Sequence, residues 1–219
     1  KQYLVRMGVE AGQIEFVPRY NVAPTQEAWI VTAGPDGSRI LRRARWGLIP
    51  AWAEDEKIGN SLVNARSESV AQKPAFRRAF RQRRCIVLAD GFFEWQRVPG
   101  GKQPVYFRLR GGAQFGFGGL WESWQQGGRE VISFCIVTVP PNEMVATVHD
   151  RMPLILPEAA VHAWLKSDAT PEELQQRLLP YRAEEMESYP VREIVNSARV
   201  DSPECVAPAP PMLKQAMLL

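Results

Sequence analysis

The alternation of apolar and polar positions predicts a chain built mainly of short strands. Runs rich in β-branched and aromatic residues recur at Trp29–Thr32, Ile40–Trp46, Cys85–Ala89, Val105–Leu109, Phe115–Trp121 and Val131–Thr138. Turn-forming residues separate them, including Gly34-Pro35-Asp36-Gly37, Pro99-Gly100-Gly101 and Gly127-Gly128. The stretch 105–138 reads as a hairpin series, with Val131–Val137 apolar enough to lie in the core. Helical spacing is rarer. Pro74–Arg84 sets Phe76, Ala79 and Phe80 on one face and most of its arginines on the other. Pro157–Leu165 opens with a proline, and Thr170-Pro171-Glu172-Glu173 is a capping box that predicts a helix to about Leu179. Strands first and helices late argue for an α+β protein with a largely antiparallel sheet, not βαβ alternation. No linker divides the chain, so one domain over 1–207 and a Pro-rich tail over 208–219 are expected.

Composition narrows the function. With 219 residues, 45% hydrophobic and 23% charged, the chain has ample material for a core, and bulk disorder is excluded. No run reaches the roughly 18 apolar residues of a membrane helix, and the start does not resemble a signal peptide. Cys85, Cys135 and Cys205 are odd in number, far apart and without CxxC spacing, which argues against disulfides or structural zinc and for a reducing cytoplasm. Two histidines, His149 and His162, are too few for a His-rich metal site, so neither metal nor cofactor is expected.

The net charge of +3 hides an asymmetry: residues 1–110 carry 19 Lys+Arg against 10 Asp+Glu, and residues 111–219 carry 8 against 14. Arginine clusters at 39–45 and again at 77–84. A planar guanidinium pairs well with phosphate, so the clustering suits an anionic partner, although two solvated amphipathic faces would look the same.

Candidate chemistry falls in five segments that set polar residues beside aromatics, glycine or proline: RYNVAPTQ at 19–26, WGLIPAW at 46–52, NARSES at 64–69, ADGFFEW at 89–95 and HDRMP at 149–153. Glu94, walled by aromatics, would lose hydration and gain a pKa suited to proton transfer; the alternative is a residue pointing outward from a strand. His149 would serve as an acid or base tuned by Asp150 or Arg151, or simply be a turn histidine. Asn64 and Arg66 flank Ala65 and, in extended chain, face one side; together they suit a sugar or carbonyl oxygen and a phosphate, unless Asn64 merely caps a helix starting near Ser67. Trp52 would stack on a nucleobase, or belong to the core like most tryptophans. GxGxxG, Walker A, HExxH and the Gly-x-Ser-x-Gly elbow are all absent.

Taken in order, the five segments and the later VNSARVDSPECV at 195–206 resemble the SRAP family, the SOS response-associated peptidases also described as abasic-site processing proteins. The resemblance implies a single α+β, barrel-like domain with flanking helices. It further implies a cytoplasmic, nucleoid-associated monomer of the DNA damage response that binds single-stranded DNA containing abasic sites, with no membrane and no cofactor. The family traps the sugar aldehyde with an N-terminal cysteine as a thiazolidine, with possible lyase and self-processing peptidase activity. On the matched positions, Asn64 would orient the sugar, Glu94 would act as acid/base and His149 would promote ring opening. Arg66 and Arg151 would hold phosphates, and Asn21, Pro24 and Trp52 would line the DNA groove. The rival readings are a non-covalent single-strand-binding module and an autoprocessing cysteine peptidase. The family start Met-Cys-Gly-Arg is missing: this sequence begins Lys1-Gln2-Tyr3-Leu4-Val5-Arg6, a trimmed start is expected, and the chain as it stands is expected not to form the thiazolidine.

Overall fold

Gly127 and Gly128, with φ of 58° and 79°, take the left-handed conformation that a two-residue hairpin turn requires. They join two long strands, and these anchor the fold. The computed structural model describes residues 2–10, 12 and 14–210; Lys1 and most of the expected Pro-rich tail, 211–219, lie outside the described residues. The strands in chain order are β1 Glu27–Ala33, β2 Arg39–Trp46, β3 Asn64–Arg66, β4 Arg84–Ala89, β5 Phe92–Val98, β6 Gly101–Leu109, β7 Phe115–Gln126, β8 Arg129–Val139, β9 Met152–Pro153, β10 Ile155–Leu156 and β11 Met186–Pro190. The helices are α1 Gln2–Arg6, α2 Arg77–Gln82, α3 Glu158–Leu165 and α4 Pro171–Gln175. None of the described helices is long and apolar enough to cross a membrane.

Strands β7, β4, β1, β2 and β8 pair in that order, and β8 pairs back onto β7, closing a five-stranded barrel. Closure leaves these strands no open edge. Every junction is antiparallel except β2–β8, a parallel seam of two residue pairs, Arg45 with Ser133 and Trp46 with Phe134. β3 pairs parallel to β8 just beyond that seam, from Asn64 opposite Ile136 to Arg66 opposite Thr138. A second, antiparallel sheet runs β11-β6-β5. The α+β class, the largely antiparallel sheet and the barrel with few helices are as the sequence and its resemblance imply.

Three details differ. The stretch 105–138 is not one hairpin series, because β6 pairs with β5 and β11 while β7 pairs into the barrel. The single turn Arg110–Gly112 redirects the chain between the two sheets. Two of the expected helices, around 74–84 and 170–179, are shorter: α2 ends at Gln82, just before β4, and α4 is five residues long. No helix starts at Ser67; the chain there forms turns.

One core cluster buries Ile86, Leu120, Phe134 and Val137 together with Phe80 of α2 and Trp164 of α3, whose rings meet edge to face at 6.2 Å. Burying side chains of this size stabilises by roughly 1.5–3 kcal/mol each before entropy is counted. All three cysteines are unpaired and buried, and desolvation pushes the Cys85 and Cys135 thiols well up, which makes them inert.

Candidate active site

Side chains alternate along β5, so Phe93 and Trp95 share the face opposite Glu94. The Phe93 ring packs 5.1 Å from that of Tyr106, and Trp95 Nε1 donates to Asn196 Oδ1 at 2.7 Å. Gly91 permits the close approach: a Cβ there would meet the Tyr106 ring at 2.2 Å. Glu94 does not point outward; its side chain is only 22% exposed. Burial pushes its carboxyl above the usual range, nearby His149 pulls it back and Asp150 adds to the rise, leaving a net increase.

Glu94 lines a cavity of about 880 Å³. Seven of the eight residues picked from sequence line it: Asn64, Arg66, Glu94, His149, Arg151, Asn21 and Pro24. Trp52 does not; its ring lies in the turn after Pro50 and the residue is 60% exposed.

His149 Nδ1 lies 3.8 Å from Glu94 Oε1 and 3.4 Å from Asp150 Oδ1. The backbone nitrogen and oxygen of Arg151 are both 3.1 Å from the same Nδ1. Unprotonated, Nδ1 accepts from the amide; protonated, it donates to the carbonyl and faces a carboxylate. The turn therefore accommodates either state, which suits a group that moves protons. Asn64 and Arg66 straddle buried Ala65 on β3 and both are exposed, so they do share one side. Neither side chain has a hydrogen-bond or ion-pair partner among the described residues.

Arg151 and Asn21 are already engaged. The Arg151 fork grips the Glu68 carboxylate and also donates to the Thr138 carbonyl, and the Arg151 bond holds Glu68 below the usual carboxylate range. Asn21 Nδ2 donates to the carbonyls of Val195, Ser197 and Val200 at 3.0–3.1 Å. Asp201 accepts from the amides of Tyr20 and Asn21 and pairs with Arg19. These bonds tie a strap over 193–206 to the RYNVAPTQ loop, and Val195, Asn196 and Ala198 of the strap form part of the cavity wall. Pro24 and Thr25 occupy a turn in which Gln26 N donates to Ala23 O at 3.1 Å, with Thr25 in the left-handed region at φ 73°. A β-branched residue there stores of order 1 kcal/mol of strain at the cavity rim. Glu68, Trp95 and Asn196 were not singled out from sequence. Glu68 sits inside NARSES, but its partner lies 83 residues away, and local spacing carries no sign of that.

Several arginines of the two clusters are engaged within the fold, while Arg77, Arg78 and Arg81 are exposed. Arg42 and Arg83 flank the Trp121 ring at 5.5 and 5.2 Å. Arg43 lies over Trp29 and pairs with Glu27, Arg45 bonds Asn60, and Arg39 meets His162 Nδ1 at 3.0 Å. Arg84, buried, donates to the carbonyls of Phe80, Arg81, Trp164 and Lys166 at the ends of α2 and α3, and burial lowers its pKa to about 10.

Comparison with known proteins decides the family. The family model for SOS response associated peptidase (SRAP) matches residues 2–198. The chain belongs to the SRAP family. The SRAP match takes in every segment that supplies Asn64, Arg66, Glu94 and His149. Among SRAP relatives, the abasic site processing protein YoqW of Bacillus subtilis (strain 168) is 44% identical over 196 residues, covering 88% of this chain and 87% of that protein. The abasic site processing protein HMCES of Gallus gallus is 31% identical over 223 residues, covering 87% of this chain and 66% of that protein. A crystal structure of a protein from Bacteroides thetaiotaomicron superposes with a TM-score of 0.74 at 28% identity, covering 88% of this chain and 82% of that one. Another, from Bordetella bronchiseptica, gives 0.74 at 27% identity, covering 87% and 95%.

Proposed function

We propose that this SRAP protein recognises abasic sites in single-stranded DNA and acts on the ring-opened sugar aldehyde in DNA repair. The observation that carries the reading is the cavity itself. It joins a carboxyl of raised pKa, an imidazole 3.8 Å away, and an amide and a guanidinium without partners among the described residues, and these come from three separate segments. The name shared by the bacterial and vertebrate relatives, abasic site processing protein, supports the same substrate. An abasic nucleotide has no base to read, so recognition falls to the sugar, its phosphates and stacking by neighbouring bases.

In the covalent form of the reading, the nucleophile is an N-terminal cysteine upstream of Lys1. The first described turn supports this placement, since Tyr3 and Leu4 already lie on the cavity wall. An α-amine has a pKa of about 8, far below lysine, so far more of it is unprotonated and free to attack at neutral pH. It adds to the C1′ aldehyde to give a carbinolamine. The hydroxyl leaves as water on a proton from Glu94, whose burial favours the protonated form, and a C=N bond forms. The thiol sulfur then adds to the same carbon, its proton passes to nitrogen, and a thiazolidine closes. His149 moves the proton that opens the sugar ring, Asn64 donates to a sugar oxygen and Arg66 holds a phosphate. Arg151 reaches a phosphate only by exchanging Glu68, and Trp52 stacks on a neighbouring base.

The test is to give the protein a Met-Cys-Gly-Arg start and incubate it with abasic single-stranded DNA. A denaturation-resistant adduct is expected, formed on the order of 100-fold more slowly with Glu94→Gln. No adduct overturns the covalent reading. Equal affinity for intact and abasic strands overturns abasic-site recognition altogether, and cleavage of an unrelated peptide would favour the peptidase.

A further inference from the structure

Glu94 and His149 also form one wall of a second, smaller cavity of about 460 Å³, otherwise lined by residues that include Gln96, Arg97, Lys102 and Thr147. Arg97 on β5 and Lys102 on β6 are direct partners in the hairpin register, so their side chains leave the same face of the sheet, that of Phe93 and Trp95 and opposite to Glu94. Like charges directly opposite each other destabilise a hairpin. Both residues are exposed, and neither has an ion pair or side-chain hydrogen bond among the described residues. Two adjacent cations thus lack a counter-ion, in a polar cavity that shares its wall with the reacting groups.

We propose that Arg97 and Lys102 form a phosphodiester subsite that holds the DNA strand on one side of the abasic nucleotide. The inference rests on the DNA reading above. The abasic sugar would occupy the large cavity beside Asn64 and Arg66, and the strand would cross the Glu94–His149 wall. The next phosphate would then come to rest between the two cations. A phosphate there removes the like-charge repulsion, so the pair is costly in the free protein and favourable in the complex. Its role is positioning: holding the strand on both sides of the wall keeps C1′ from sliding past Glu94.

The test uses the full chain and fluorescent single strands carrying a tetrahydrofuran abasic analogue, with anisotropy titrations across a salt series. Each phosphate neutralised on a single strand contributes about 0.7 to the slope of log K against log salt. With one phosphate at the pair, the double variant Arg97→Ala/Lys102→Ala should therefore lower the slope by about 0.7, so that between about 50 and 200 mM salt the parent loses roughly 2.6-fold more affinity than the variant. Arg97→Lys/Lys102→Arg should keep the parent slope. The loss should vanish for strands that end at the analogue on one side and persist for strands that end on the other. The variant should melt no lower than the parent. An unchanged slope, or an equal loss with both half-strands, overturns the subsite while leaving abasic-site recognition standing. A parent that does not prefer abasic strands over intact ones removes both.

Discussion

Arg84 and Arg66 come from the same basic half of the sequence and end up doing opposite work. Arg84 is buried against four backbone carbonyls at the ends of two helices, while Arg66 stands exposed on the cavity rim with no side-chain partner among the described residues. Most arginines of β2 also have partners within the fold, though unlike Arg84 they are not buried, stacking on tryptophans or pairing with Glu27 and Asn60. Charge density along a chain therefore does not locate a binding surface. What marks one is a charge that the fold leaves unpartnered, because its donors remain free for a ligand.

The comparison breaks or sharpens in the following order. Arg84→Met leaves buried carbonyls unpaired and should cost about 3 kcal/mol, a fall of about 6–12 °C in Tm. The folded fraction should bind single strands as the parent does, and a loss of binding without a loss of stability would invert the assignment. Asp201→Asn comes next, at roughly 1.5 kcal/mol after discounting for solvent screening, or about 3–6 °C. Burial pushes the Asp201 carboxyl up, but the Tyr20 and Asn21 amides and Arg19 outweigh it and hold the pKa low. Its contribution is therefore present above the ordinary carboxylate range and fades as pH falls towards the folded value, so the melting difference should shrink in acid.

Arg66→Ala should leave Tm within about a degree while weakening strand binding on the order of tenfold and lowering the salt slope by about 0.7. Equal loss of stability and binding would make Arg66 another Arg84. The smallest effect is on Glu94→Gln, which should raise Tm by on the order of 2 °C at neutral pH. With its folded pKa raised, Glu94 favours the folded state in acid, and that advantage is lost as pH rises through the folded value. The gain from Glu94→Gln should thus disappear as the buffer is made acidic.

Much of this architecture was legible in the sequence. Period-two apolar runs located six of the barrel and second-sheet strands, and alternation about Ala65 put Asn64 and Arg66 on one side. β5 was harder to read, since Phe92-Phe93-Glu94-Trp95 reads equally as a site loop, and only pairing with β6 makes it a strand. The strap was illegible for a different reason. Asn21 hydrogen-bonds to residues 174–179 positions further on, and Asp201 accepts from Tyr20 at a separation of 181. Arg97 and Lys102 show their opposition only once the hairpin register is known. Sequence reports which groups are present and how they alternate; which donors remain free is decided by tertiary partners.

The parallel seam has a kinetic meaning. β1–β2, β5–β6 and β7–β8 each pair across short turns, whereas the seam joins Arg45 to Ser133, 88 positions apart, through two residue pairs. Loop-closure entropy makes such a contact late to form, and its small size makes it early to open in amide exchange. Trp46, Phe134, Ile136 and Thr138, all at or beside the seam, line the main cavity. A nascent chain with every hairpin in place would still lack the main cavity, which comes into being with the last zipping step.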